Sequence, residues 1–551
     1  MAQSAADADP TPQARLAQAA RTLQEVRREL GRADTPDTLK SLADRTLGAQ
    51  RDADAAARAL APELEQLDAR LAQLGEVADG ATEGSDIARQ RRSLDKQRSD
   101  VDSAIKQGNL MAVEARQLAE SIEKMRATQF SEQLARRVAS PLSPSLWRQF
   151  SEAFPRDYAQ LLGLYTVGER ALRKGTAAHG WTGPIVGGVI ALLLAFPLRL
   201  WLRRWGRHKA ASQDAPTGRL RRSGLAVWLL LVGTVLPGVA AMVLVQGLVL
   251  IEAVPPRLEA TASMFIVATF VAAFFAALGA CLTLPHQPSW RLLALDDPAA
   301  LRLRRYAWVA SLLTFASLML QEINRASRTS AVTDVAVDGL LALSYLALII
   351  AILVSLARMH RRQVAEVEAS VAEATTTSND AGSVPGRVRA SASRSGWIAI
   401  MRVAGHLAVL AAVIATLLGY LNFALFTAQQ MVWGAVVFLS LSLLMKFADD
   451  VAMAVFAPAG RFGRTLGLAS GLTSARLEQA GVLSSAVLRL CLLVLGVLAL
   501  AAPFGNLNSI YGWLDVAARG VDIGGTHLTV WVFAKALLVL GIGLVVGQAF
   551  Q

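Results

Sequence analysis

The chain changes character near residue 180. Before it, apolar residues come singly among charged ones at three- and four-residue spacing; after it they come in long runs broken by short basic segments. Spacing of the first kind predicts amphipathic helices. Leu16, Leu23, Val26 and Leu30 mark a first helix, and Asp34, Thr35 and Pro36 interrupt it and start another with proline in its first turn. In that second helix Leu60, Leu64, Leu67, Leu71 and Leu74 are spaced 4, 3, 4 and 3, the seam of a coiled coil or helical hairpin. Residues 80–85 read as a turn, and Ile87, Leu94, Val101, Ile105, Leu118, Ile122 and Met125 share one face of a third helix, with Gly108 and Asn109 as a possible kink. Pro141 and Pro144 close the region. The amphipathic stretch 145–174 follows, with Trp147, Phe150, Phe154, Tyr158 and Tyr165. Two readings stand for it: an elbow helix at the membrane surface, where aromatics are favoured, or a docking helix of the soluble region.

The later runs approach the roughly 20 residues that cross a bilayer core. Nine spans are expected: 181–200, 224–251, 262–284, 306–321, 335–357, 403–421, 425–445, 482–502 and 528–546, the fourth being short. The expected fold class is therefore all-α. A periplasmic helical or coiled-coil domain (1–144) leads through an amphipathic connecting helix (145–180) to a polytopic membrane domain (181–551).

Charge then fixes orientation. Of 55 basic and 43 acidic residues, 26 of each precede Trp181, leaving 29 basic against 17 acidic in the membrane half. A neutral soluble region argues against a nucleic-acid partner, and basic loops report topology instead. Alternate connections hold Lys and Arg in the ratio 23 to 4, the poor set being Arg257, Arg325, Arg328 and Arg519. The positive-inside rule places the rich set in the cytoplasm of a bacterial inner membrane, with the N-terminal region outside and the C-terminus inside. A region of this size needs a signal to cross, and the opening Met1-Ala2-Gln3-Ser4-Ala5-Ala6 resembles the end of a signal peptide, so the start codon is expected upstream.

No catalytic, cofactor-binding or metal-ligating constellation is found, and an enzyme is not expected: phosphate loops, zinc motifs and nucleophile elbows are missing from the sequence. Cys281 and Cys491 lie in apolar runs and read as buried small side chains. The six histidines, His179, His208, His286, His360, His406 and His527, are scattered. Ionisable residues near spans are Asp338, Arg402, Arg489 and Lys535, each close enough to a span end to snorkel. No carboxylate is expected in mid-membrane, nor a line of polar residues that would hydrate a channel. Glycines at four-residue spacing (Gly183 and Gly187; Gly543 and Gly547; Gly463, Gly467 and Gly471) permit close helix packing.

Two segments carry a family resemblance. One is Ser140-Pro141-Leu142-Ser143-Pro144-Ser145-Leu146-Trp147, between the coiled-coil-like region and the first span; the other is Gly512-Trp513-Leu514 leading through Val521-Asp522-Ile523-Gly524 into the ninth span. With the layout of all 551 residues, they resemble large members of the small-conductance mechanosensitive channel family that carry an extra periplasmic helical domain. The resemblance implies a tension-sensing role, the lipid bilayer as partner and a homo-oligomer for a full-length channel. In that family a further helix, a Gly/Ala-rich pore helix and a cytoplasmic β-rich domain follow the ninth span. Here the sequence reaches Gln551 at that point, so the pore segment is expected outside these residues. A non-conducting scaffold, or a transporter-like protein, is the competing class.

The loop asymmetry yields a topology test. Reporter fusions at Ala211 and Thr376 should behave as cytoplasmic, and fusions within 502–515 as periplasmic. Thr376 exposed outside would overturn the nine-span order.

Overall fold

A computed structural model describes residues 11–33, 36–74, 84–211, 218–284, 297–377, 403–456, 474–501, 521–523 and 526–528. They divide into two compact units, Met1–Gln133 with Asn506–Gln551, and Leu134–Gly505.

In the first unit Thr11 caps α1 (Pro12–Leu30) by accepting from the Ala14 amide, and proline opens the helix where its missing N–H costs nothing. Proline likewise opens α2 (Pro36–Gln73); α3 runs Ser85–Ala135. The leucine seam is buried at Leu60 and Leu67 and partly buried at Leu64, with Leu16 and Leu23 of α1 in the same core, while Val26 packs in a second cluster with Leu39, Leu42, Ala43 and Ile122. Much of the core is alanine: Ala19, Ala49, Ala53, Ala56, Ala112 and Ala115 are buried. The site of the expected kink is instead a packing point. α3 continues through Gly108, where an added Cβ would stand 3.1 Å from Ala57 Cβ, 3.2 Å from Leu16 Cδ2 and 3.3 Å from the Ala53 carbonyl. Glycine there lets three helices meet. The ends of the α3 stripe are different, since Ile87 and Met125 are exposed. Two three-residue strands, Val521–Ile523 and Thr526–Leu528, pair antiparallel with Asp522 opposite His527, a local departure from an all-α chain. Strands this short leave no alternation to read.

The second unit is helical. It begins with α4 (Pro144–His179) and the helical run α5 (Thr182–Leu193), a π-turn at Leu194–Leu198, and α6 (Arg199–Ala211). Then come α7 (Gly218–Val249), α8 (Pro256–Thr283), α9 (Asp297–Ser327), α10 (Ala331–Thr377), α11 (Val403–Leu418), α12 (Leu421–Val455) and α13 (Ser474–Ala501).

Among the described residues, seven helices are long and apolar enough to cross a membrane: Thr182–Ala210, Leu220–Val249, Pro256–Thr283, Asp297–Ser327, Ala331–Met359, Leu421–Val455 and Gln479–Ala501. The chain is thus a multi-pass helical membrane protein. These seven coincide with expected spans one to five, seven and eight. The sixth corresponds to α11, a shorter apolar helix of 16 residues. At 1.5 Å per residue it is about 24 Å long, short of a hydrocarbon core of about 30 Å. The ninth expected span lies outside the described residues. The fourth is longer than its apolar centre, because the polar flanks are helical too.

The core of this unit joins α7, α8, α10, α11 and α12 around Phe275, Tyr345, Leu346, Leu421 and Leu443. The α5 helix stays outside it. Ile185, Val186, Val189, Leu192 and Leu193 are all exposed, as expected of a helix bathed in lipid. It is held by glycines: Cβ atoms built on Gly187 and Gly183 would each stand 3.3 Å from a carbonyl of α7, at Val243 and Gly247 respectively. The first of the glycine pairs is therefore a close helix crossing; the other two sets lie outside the described residues. Gly188 faces open space. Gly187→Leu should therefore destabilise the detergent-solubilised protein by about 1–3 kcal/mol through overpacking, whereas Gly188→Leu should be near neutral. Equal thermal midpoints for the two variants would show that the crossing does not hold α5.

Candidate functional site

Every second turn of a hairpin-connected bundle lies at the same end. The α7–α8, α9–α10 and α11–α12 turns form one such set, and the stretch from Arg137 to Gly175 touches all three. We term it the collar.

The first contact is with the end of α11. Helix C-termini leave carbonyls without amide partners. Here the collar supplies donors: Arg137 Nε donates to the Leu418 carbonyl at 3.0 Å, Ser140 Oγ to the Thr416 carbonyl at 3.0 Å, and the Val138 amide to the Gly419 carbonyl at 2.9 Å. A guanidinium also suits the negative end of a helix dipole. Gly419 has φ +88°, and a Cβ on it would stand 2.2 Å from the Val138 carbonyl, so glycine is needed on both counts.

The Ser-Pro segment then folds into a turn. Ser143 donates through its amide and hydroxyl to the Ser140 carbonyl, at 2.9 and 2.7 Å, and the Trp147 indole donates to the Pro141 carbonyl at 2.8 Å. Pro141 packs on Gly339 of α10. Pro144 starts α4. On its exposed side Trp147, Phe150, Phe154 and Tyr158 make successive ring contacts with centroids 5.6–5.9 Å apart. A neighbouring face buries Leu146, Asp157 and Gly175.

Asp157, only 2% exposed, is the second contact. Its carboxylate accepts from the Ser330 amide (3.1 Å), the Ser330 hydroxyl (2.5 Å) and the Thr333 hydroxyl (2.5 Å). It therefore places an anion at the positive, unpaired N-terminus of α10. Burial by itself would raise the carboxyl pKa. The hydrogen bonds from Ser330 and Thr333, with Arg156 nearby, outweigh burial and lower it. The third contact is Gly175, which lies against the Ile251 carbonyl in the α7–α8 turn, while Gly168 lies beside Leu258.

Below the collar, α9 carries a polar seam. Thr314, Ser317 and Gln321 recur at spacing 3 and 4, hence on one face. Tyr345 of α10 donates to Thr314 (3.3 Å), Gln429 of α12 to Ser317 (3.0 Å), and Gln321 to Asp338 of α10 (3.3 Å). No polar line that would hydrate a channel is expected from the sequence, and this seam is not singled out there; its groups join neighbouring helices. The seam also explains why the fourth span is the most polar of the seven. Asp338, expected to snorkel, takes the Gln321 amide instead.

Arg489 also has a partner. Its guanidinium grips Asp449 of α12 in bidentate fashion, with Nε at 2.5 Å from Oδ1 and Nη2 at 2.6 Å from Oδ2, and Ser485 donates to the same carboxylate. The adjacent Asp450 accepts from Ser223 of α7 at 2.6 Å. Two neighbouring carboxylates thus tie α12 to α13 and to α7. Nothing in sequence spacing marks that pairing, because Asp449 and Arg489 are 40 positions apart. Arg402 and Lys535 lie outside the described residues. Cys281 is buried as expected, whereas Cys491 is exposed, which in a lipid-facing helix remains an apolar setting. Among the described residues no group of three His, Cys, Asp or Glu side chains could hold a metal ion.

Comparison with known proteins adds one match. Residues 105–166 match the family described as Protein of unknown function (DUF3772). The matched stretch includes the Arg137–Ser140 strap, the Ser-Pro turn, Trp147 and Asp157, which are the collar's contacts with α10 and α11. No curated protein matches the chain.

Asp157 furnishes a test with a defined sign. Its folded pKa lies below the unfolded value of about 3.9. Its stabilisation is therefore full above pH 4 and is lost as pH falls through the depressed folded value. Amide protection at Ser330 and Thr333, measured against the intrinsic exchange rate at each pH, should be high at neutral pH and fall only in stronger acid. Asp157→Ala should lower it at pH 7 by about one to two orders of magnitude, the cost of leaving buried donors unpaired. Unchanged protection in that variant would remove Asp157 as the clamp.

Proposed function

We propose that this protein is the membrane-tension-sensing part of a mechanosensitive channel-like system of the bacterial inner membrane, acting in the response to osmotic stress. The carrying observation is the collar. A single strap tied to three turns at one end of a helix array makes the tilts of those helices interdependent. Tension favours the state of larger in-plane area, and helix tilt is a route to it. A lipid-bathed helix such as α5, held to its neighbour mainly by glycines, responds to bilayer thickness directly. The collar then passes that motion to α10 and α11. The loop asymmetry supports a periplasmic collar, and the exposed aromatic row on α4 suits the membrane surface. The family resemblance supports a homo-oligomeric assembly.

The Gln321–Asp338 contact inside the bundle favours a second reading, a transporter in which Asp338 handles a proton or cation. The two readings separate experimentally. In a variant with Cys281 and Cys491 replaced, spin labels at Ile185 and Leu340 report the distance from α5 to α10 in liposomes. Lysolipid added to one leaflet, which raises tension, should shift that distance by several ångströms, and Asp157→Ala should suppress the shift. The 551 residues alone should give no tension-gated current under patch suction. A distance indifferent to lysolipid overturns the sensor. Ion-driven flux abolished by Asp338→Asn establishes the transporter.

A further inference from the structure

The π-turn Leu194–Leu198, with Pro197 inside it, interrupts the first membrane helix just before Arg199. One extra residue in a turn rotates all that follows by roughly 100°. Arg199, Arg203 and Arg207, spaced four apart, then share one face of α6. That face meets α7 at Gly233, whose carbonyl takes a long bond of 3.4 Å from Arg199 Nη2. A Cβ on Gly233 would stand 3.1 Å from Arg203 Nη2 and 2.6 Å from Ala277 Cβ of α8, so glycine there makes room for the guanidinium.

Arg203 feels the repulsion of three cations: Arg199, Arg207 and Arg304 of α9. Among the described residues none of the four forms an ion pair. Among the described residues, the buried Nε atoms of Arg199 and Arg203 have no hydrogen-bond partner. Arginine does not shed its proton in proteins, so the charge persists. Among the described residues no carboxylate pairs with these guanidiniums, and their buried N–H donors suit an oxyanion acceptor.

The surroundings indicate where it comes from. Ala277 lies six residues before the end of α8, roughly 9 Å inside it. Trp205 and Trp228 stand ring to ring at 5.4 Å, and the Trp228 indole donates to the Leu202 carbonyl at 3.0 Å. Trp201 and Trp205 are exposed. Tryptophans of this kind mark the headgroup level of a bilayer. We infer that Arg199, Arg203, Arg207 and Arg304 form a phosphate-binding site between α6, α7, α8 and α9, open to the headgroup of an anionic phospholipid. The planar guanidinium fork matches phosphate oxygens in bidentate geometry.

The full chain in detergent can be titrated with dioleoyl phosphatidylglycerol, dioleoyl phosphatidylcholine or inorganic phosphate while its thermal midpoint is followed. Phosphatidylglycerol should raise the midpoint at the lowest concentration. Arg203→Gln should weaken that response by about tenfold, and Arg203→Lys, which keeps the charge but loses the fork, by less. Arg304→Gln provides an independent variant on another helix should Arg203→Gln misfold. An equal response to inorganic phosphate, lost in the same variants, would keep the site and assign it to free phosphate. Equal responses of wild type, Arg203→Gln and Arg304→Gln to all three ligands would overturn the site.

Discussion

Helix ends are the expensive part of a membrane protein. Inside a helix the backbone satisfies itself, but the first amides and last carbonyls do not, and near lipid there is little water to complete them. The second unit meets this constraint with one stretch of chain. Arg137, Val138 and Ser140 donate to the last carbonyls of α11, and Asp157 accepts at the first turn of α10. Each partner carries the sign or hydrogen-bonding sense that its helix end demands. Removing the collar would leave both turns with buried, unpaired groups.

Packing between helices answers a different constraint. Lipid is as apolar as leucine, so burial of leucine does little to hold membrane helices together; close approach and hydrogen bonds must do more. Gly183 and Gly187 against Gly247 illustrate the first, and the Thr314–Tyr345, Ser317–Gln429 and Gln321–Asp338 pairs the second. In the first unit, by contrast, α1, α2 and α3 carry charged residues on their exposed faces and apolar ones between them. There leucine and alanine fill the core, and ion pairs such as Arg45 with Glu25 and Glu29 stay on the surface.

These two kinds of contact differ in geometry. The glycine crossing of α5 on α7 is a contact of backbones, at Gly183 and Gly187 against Val243 and Gly247. The bidentate Arg489–Asp449 pair and the Asp157 clamp are directional and break discretely.

The membrane class, the positions of seven spans and the amphipathic character of the first helices were legible in the sequence, because bilayer thickness and helical periodicity act on neighbouring residues. The proline start at Pro36 was legible for the same reason, being local backbone chemistry, whereas Pro12 and Pro144 emerged as helix starts only in the structure. The leucine stripes were right at their centres and failed at Ile87 and Met125, since a stripe does not say where its partner helix stops. What the tertiary structure alone decided are the partners of polar groups. Asp157 with Ser330, Arg489 with Asp449, and Gln321 with Asp338 lie between 17 and 173 positions apart. No period or composition links such pairs. Hydropathy weighs each polar residue alone, whereas its place in a bundle depends on which helix arrives beside it.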